Sequence, residues 1–245
     1  MNYNVYRLKQ TEALKLTLLY ILLAAFTAYL FYDSAVAFFA LLPGIVIFFR
    51  RKRDEGIIRR KKELSKEFRD MILSVSTALS AGYSIENAFY EAKKDIGALY
   101  GEDSLIGREL NGMLTGMTTG IAIEGMLSDF AVRSDIDEIR DFAEIFGIAK
   151  RNGGDLPKMI ASTVGMMREK DETEREIEVL LAGKRFEQKI MGVVPLFIIL
   201  YLRVSTGSFM QALYHNLTGI FVMSVCLVLY GASYLLAERI VAIEV

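Results

Sequence analysis

Apolar and polar positions follow three regimes along this chain. Four runs are apolar on every side: Leu16–Tyr32, Ala35–Phe49, Ile190–Leu202 and Leu217–Ala237. Between the second and third, apolar residues return every third or fourth position, the period of a helix with one buried face. Near the end of that middle region, Arg168 to Glu176 carries no apolar residue at all.

A membrane-spanning helix needs about 20 residues, so the first and fourth runs are long enough and the second and third are short. The second gains length if Arg50 snorkels, and the third if it starts at Phe186 and Arg203 reaches the far headgroups. Short apolar runs also suit buried core helices, but here each is paired with a long one. Basic residues sit on one side of this layout. Arg7, Lys9 and Lys15 precede the first run, Arg50 to Arg53 and Arg59 to Lys62 follow the second, Lys184, Arg185 and Lys189 precede the third, and Arg239 follows the fourth. The only charge between the first pair is Asp33, and between the last pair stand only Arg203 and His215. The excess of positive charge inside predicts two transmembrane hairpins, with both termini and the whole middle in the cytoplasm. Met1 to Lys15 is polar and no convincing cleavage site follows, so no cleavable signal is expected.

The middle predicts helices throughout. Leu64, Phe68, Met71, Ile72, Val75 and Leu79 form a stripe, with Lys66, Glu67, Arg69 and Asp70 off it. Gly82 ends that helix and Ser84 caps the next, which carries Ile85, Ala88, Phe89, Ala92 and Ile96. Further stripes run from Ser104 to Met117, from Ile123 to Phe130, and from Ser134 to Ala149. No alternating pattern of useful length suggests a strand. The expected fold is all-α, an integral membrane protein with a cytoplasmic bundle of about six helices. Its divisions fall at 1–15 (cytoplasmic segment), 16–49 (first hairpin), 50–63 (basic juxtamembrane segment), 64–189 (helical domain with a long charged helix), 190–237 (second hairpin) and 238–245 (tail). Gly112, Gly116 and Gly120, four apart, suggest a smooth face for close helix packing.

Composition agrees with a membrane protein: 53% of the 245 residues are hydrophobic, and the net charge is −1. It also removes chemistry. One cysteine (Cys226), one histidine (His215) and no tryptophan leave no intramolecular disulfide, no metal spacing and little for histidine catalysis. Asn152-Gly-Gly-Asp155 invites a phosphate-loop reading, but it lacks the required spacing and Asp155 would repel phosphate. Asp155 as a helix cap, after Gly153 and Gly154 and before Pro157, is simpler. Asp135, Asp137 and Glu138 lie at a helix start, where the dipole favours acids. No catalytic, cofactor or metal site is expected. The basic run Arg50–Lys62 suits topology and lipid headgroups, not nucleic acid, since no aromatic platform accompanies it.

The charged run remains. Arg168 to Glu178 holds three basic and six acidic residues, a local net of −3. A helix polar all round either bridges solvent or leans on pairs three and four apart. It reads as a solvated stalk, and Arg168, Glu172, Arg175 and Glu176 are the residues through which it would also dock a partner.

Motif order then carries a resemblance. Leu79-Ser-Ala-Gly-Tyr-Ser-Ile85 precedes Ala88-Phe89, followed by Phe130-Ala-x-Arg133, Asp141-Phe-x-x-Ile-Phe146, Gly153-Gly-Asp-Leu156, the Arg168–Glu176 helix, Ala182-Gly-Lys-Arg185 and a proline inside the third apolar run, Pro195. Phe209-Met210, Gly219 and Gly231 lie beyond it. This order resembles the type II secretion system F domain of assembly-platform proteins, most of all the TadB and TadC membrane proteins of tight-adherence pili, over roughly Leu64 to Arg239. The resemblance implies a platform without chemistry of its own. It would contact a hexameric secretion ATPase and pilin subunits, and pair with itself or a sister platform protein. The alternative, a transporter or channel component, would want ionisable residues within the spans, and only Arg203 comes close.

Overall fold

Helices run long in this chain, which has only three prolines to interrupt them. The computed structural model describes residues 3–4, 10–152, 155–206, 213–214 and 216–241. Its elements are α1 (Gln10–Tyr32), α2 (Ala35–Leu41), a 3-10 turn (Leu42–Gly44), α3 (Ile45–Ser80), α4 (Ile85–Tyr100), α5 (Leu105–Thr118), α6 (Ile123–Ser134), α7 (Asp137–Asn152), α8 (Leu156–Ser205) and α9 (Leu217–Val241). No strand occurs among the described residues, so the fold is all-α. Two units result: Met1–Arg7 with Lys52–Glu172, and Leu8–Arg51 with Thr173–Val245. α3 and α8 each contribute to both.

The helical unit buries the stripes described above. Phe68 of α3 meets Phe142 of α7 at 5.5 Å between ring centres and Phe130 of α6 at 6.1 Å. Leu64, Met71, Phe89, Ile106 and Leu127 are fully enclosed around them. Each such side chain contributes about 1.5–3 kcal/mol by leaving water. The corners use local chemistry. Gly82 stands at φ +90° after α3, and the Tyr83 amide donates back to Ala78. Ser84 Oγ then accepts from the Asn87 amide at 3.3 Å.

The polar side of α3 is less solvated than its periodicity suggests. Glu67 is buried and accepts from the Ile106 amide at 2.8 Å, supplying the start of α5 with an acceptor it needs. Burial pushes its carboxyl above the ordinary range, against the pull of that hydrogen bond. Asp70 takes the Tyr100 hydroxyl. A stripe shows which face of α3 is apolar, but not that further helices cover the flanks.

The membrane unit is inside out by comparison. Leu18, Phe197 and Leu229 are exposed, while Leu30, Phe31, Tyr214 and Met223 form a small buried cluster. α1 packs on α2 and on α9. The Tyr20 hydroxyl donates to the Leu41 carbonyl at 2.5 Å, and Asp33, at φ +46°, makes the turn between α1 and α2. Among the described residues, three helices are long and apolar enough to cross a membrane: Gln10–Tyr32, Leu156–Ser205 and Leu217–Ala237. The second apolar run is not one helix. Pro43, which has no amide hydrogen, is the middle residue of the 3-10 turn, and Ile45 begins α3. That helix carries the basic run without interruption, so the juxtamembrane segment and the first helix of the bundle are one element.

Candidate interaction surface on the charged helix

α8 begins at a cap: Asp155 Oδ1 accepts from the Lys158 amide at 3.2 Å. Its first four turns bury Ile160, Thr163, Val164 and Met167. The inward stripe does not stop where apolar residues stop. It continues to Asp171, which is half-buried. The stretch without apolar residues therefore has an inner face after all, made of charge.

Arg69 of α3 holds that face. Its Nη2 donates to Asp171 Oδ1 at 2.6 Å and its Nη1 to Glu138 Oε1 of α7 at 3.3 Å. Lys170 Nζ lies 3.4 Å from the same Glu138 oxygen, and Ser65 donates to the other. α3, α7 and α8 thus converge on a network in which each carboxylate has a charged or hydroxyl donor. Such a planar, two-acceptor arginine fixes geometry as well as charge. What it can do is register α8 against the bundle.

On the other side, Arg168, Glu172, Arg175 and Glu176 are all exposed. Their spacing of three, four and eight residues sets them on one outward face. The division between the units falls inside this group, after Glu172. Of the remaining residues singled out from the sequence, Pro195 lies within α8, which continues through it. Gly153, Gly154, His215, Phe209 and Met210 lie outside the described residues. The three spaced glycines serve different ends. Gly116 faces Met126 of α6 closely, Gly120 is a turn at φ +81°, and Gly112 has nothing within 4 Å of where a side chain would start.

No family model, curated protein or solved structure matches this chain. Function has to be read from the residues. Among the described residues, no three His, Cys, Asp or Glu side chains gather as metal ligands would.

Two further clusters bring residues together from distant parts of the chain. In the helical unit, Tyr3 is completely buried, its hydroxyl donating to Glu109 Oε1 at 2.8 Å. Its ring meets Phe130 edge-on, and the Arg60 guanidinium lies 5.2 Å from its centre. Arg133 donates to both Glu109 oxygens, at 2.8 and 2.7 Å. Burial pulls the Glu109 carboxyl up, but Arg133 and then Tyr3 outweigh it and hold it below the ordinary range. Burial and the Glu109 carboxylate together push the Tyr3 hydroxyl well above its usual value. Positions 3, 109 and 133 share no periodicity, so no sequence pattern joins them.

In the membrane unit, Arg203 donates to Asp33 Oδ1 at 2.6 Å and to the Tyr29 carbonyl, and lies 3.6 Å over the Tyr29 ring. The Tyr214 hydroxyl donates to the Leu30 carbonyl at 2.6 Å. The acidic residue of one turn and the basic residue at the end of α8 are thus a pair. An arginine paired this way is a clasp between the turn after α1 and the end of α8.

Proposed function

We propose that this protein is an assembly-platform protein of the cytoplasmic membrane, coupling a cytosolic secretion ATPase to pilin extraction and filament assembly. The observation that carries the reading is α8. It is a single helix of 50 residues that begins capped against the bundle, passes through an exposed charged face and continues through Pro195 into an apolar candidate span. Such an element gives one continuous stretch of chain from the bundle to the candidate span. The outward face of Arg168, Glu172, Arg175 and Glu176 is where the ATPase docks, and a second copy or a sister platform protein completes the assembly.

Two transmembrane hairpins with cytoplasmic termini fit this role, and Tyr3 supports the first of them. A residue buried in the helical unit lies on that unit's side of a membrane. That burial supports a reading in which the chain between Asn4 and Lys52 crosses an even number of times. With α1 as one crossing, the run from Ala35 to Phe49 supplies the return, its 3-10 turn sheltered by the contact of Tyr20 with Leu41. Non-helical backbone at membrane depth is tolerated only where protein covers it.

The test is genetic. A deletion strain should lose filaments or secretion while pilin and ATPase still accumulate; normal filaments would end the proposal. Glu176→Pro, which breaks α8 between bundle and bilayer, should stop assembly with the protein still present in the membrane, and assembly at the normal rate would rule out force transmission through α8.

A further inference from the structure

The membrane unit leaves spaces at both ends, one of them about 560 Å³ beside Tyr32, Ala37 and Tyr214. Around Leu30, Phe31, Tyr214 and Met223 its helices pack together. Between the later part of α8 and the end of α9 they leave a groove of about 480 Å³. Gly192 and Pro195 floor it, where α8 has no long side chain, and Met191, Tyr230, Tyr234 and Ala237 line its apolar length. The wall is fixed: the Tyr230 hydroxyl donates to the Gly192 carbonyl at 2.5 Å, and a side chain begun at Gly192 would meet the Tyr234 ring at 3.5 Å.

The charged residues of the lining stand at one mouth of the groove, Lys184 and Glu187 with Gln188 beside them, while Ser233 is the small polar residue along its length. Lys184 Nζ and Glu187 Oε2 stand 3.0 Å apart, both exposed. At about 1.5 Å per residue, these side chains lie roughly 3–9 Å before the apolar run that begins at Ile190. The headgroup layer on each side of a bilayer is about 5–7 Å deep. The charged mouth therefore falls at headgroup depth when α8 and α9 span, and the apolar length falls among acyl chains.

We propose that this groove is a binding site for one phospholipid whose headgroup carries both a phosphate and a primary amine, as phosphatidylethanolamine does. One acyl chain lies along Gly192 and Pro195 between Met191 and Tyr234. The phosphate meets Lys184, the ammonium meets Glu187, and the Gln188 amide serves either. The paired charges decide the class. A headgroup with phosphate alone would set Glu187 against a like charge, which costs affinity. A purely apolar occupant would leave the mouth unused. The site rests on the reading that α8 and α9 cross the membrane.

The test uses the full chain purified in mild detergent, with phosphatidylethanolamine or phosphatidylglycerol added and retention read by native mass spectrometry. One phosphatidylethanolamine per chain should survive, at least tenfold in preference to phosphatidylglycerol. Gly192→Leu and Ala237→Leu, each filling the groove, should abolish retention while melting in the same detergent stays close to that of the parent. Glu187→Lys should turn the preference toward phosphatidylglycerol. Equal retention of the two lipids by the parent overturns the headgroup assignment. Undiminished retention in either filled variant that melts like the parent overturns the groove. Release of the chain from native membranes by alkaline carbonate is a separate outcome, and sinks the membrane reading itself.

Discussion

The helical unit and the membrane unit are made from the same secondary structure and opposite packing logic. In the first, phenylalanines close the centre and charges ring it. In the second, large apolar side chains such as Phe197 and Leu229 point outward, and the ion pair Asp33–Arg203 lies among the contacts that hold helices together. The difference teaches what each unit treats as solvent. Water drives apolar groups together, whereas lipid is as apolar as leucine and leaves packing and polar pairs to set the arrangement.

Paired truncations put that contrast under the greatest strain. Phe68→Ala should cost about 3–5 kcal/mol in denaturant unfolding of the detergent-solubilised protein, as deletion of a core ring does. Phe197→Ala should leave unfolding near that of the parent. Comparable losses at both sites would mean that Phe197 is covered by protein, and the contrast between the units would fail.

Glu109→Ala comes next, at about 2–3 kcal/mol, because it strands Arg133 and the Tyr3 hydroxyl together. The same carboxylate makes stability depend on pH. Its folded-state pKa is depressed, so its contribution is complete above the ordinary value of 4.5 and is lost as pH falls through the lower folded value. Melting followed across that acid range should fall more steeply in the parent than in Glu109→Gln. Parallel curves would show that Glu109 does not carry the effect.

Smaller again, Arg203→Gln should cost about 1 kcal/mol, in keeping with polar contacts between membrane helices. The reciprocal pair Asp33→Arg with Arg203→Asp should recover part of the loss of either single change; a double variant as weak as the worse single one would argue against a clasp. The least effect on stability belongs to Glu172→Lys with Glu176→Lys, within about 0.5 kcal/mol of zero. That variant should nevertheless recover less ATPase on co-purification, and unchanged recovery would reduce the outward face of α8 to a spacer.

Much of the fold is written in periodicity. Phe68, Phe89, Leu127 and Phe142 announce buried faces because a helix repeats every 3.6 residues and each face has one environment. Gly82 and Ser84 announce a corner because glycine permits φ +90° and serine supplies the missing acceptor. Of the candidate surface, the outward positions Arg168, Glu172, Arg175 and Glu176 were legible in this way. The inner ones were not. Asp171 reads as one more charge in a polar run, and only the arrival of Arg69 from a helix 102 residues earlier makes it half of an anchor. Glu67 likewise reads as a solvent-facing acid until α5 begins against it.

The sequence by itself determined that the chain is helical, that its ends are too apolar for water, and that one helix is charged for nearly three turns. These follow from residue type and spacing, which act locally. Tertiary structure alone decided which charges meet: Arg69 with Asp171, Arg133 with Glu109, Arg203 with Asp33. It also decided that Tyr3 is core and that α8 and α9 leave a groove between Gly192 and Tyr234. Such pairings depend on helices brought together from distant parts of the chain, and a polar residue carries no mark of the partner that will neutralise it.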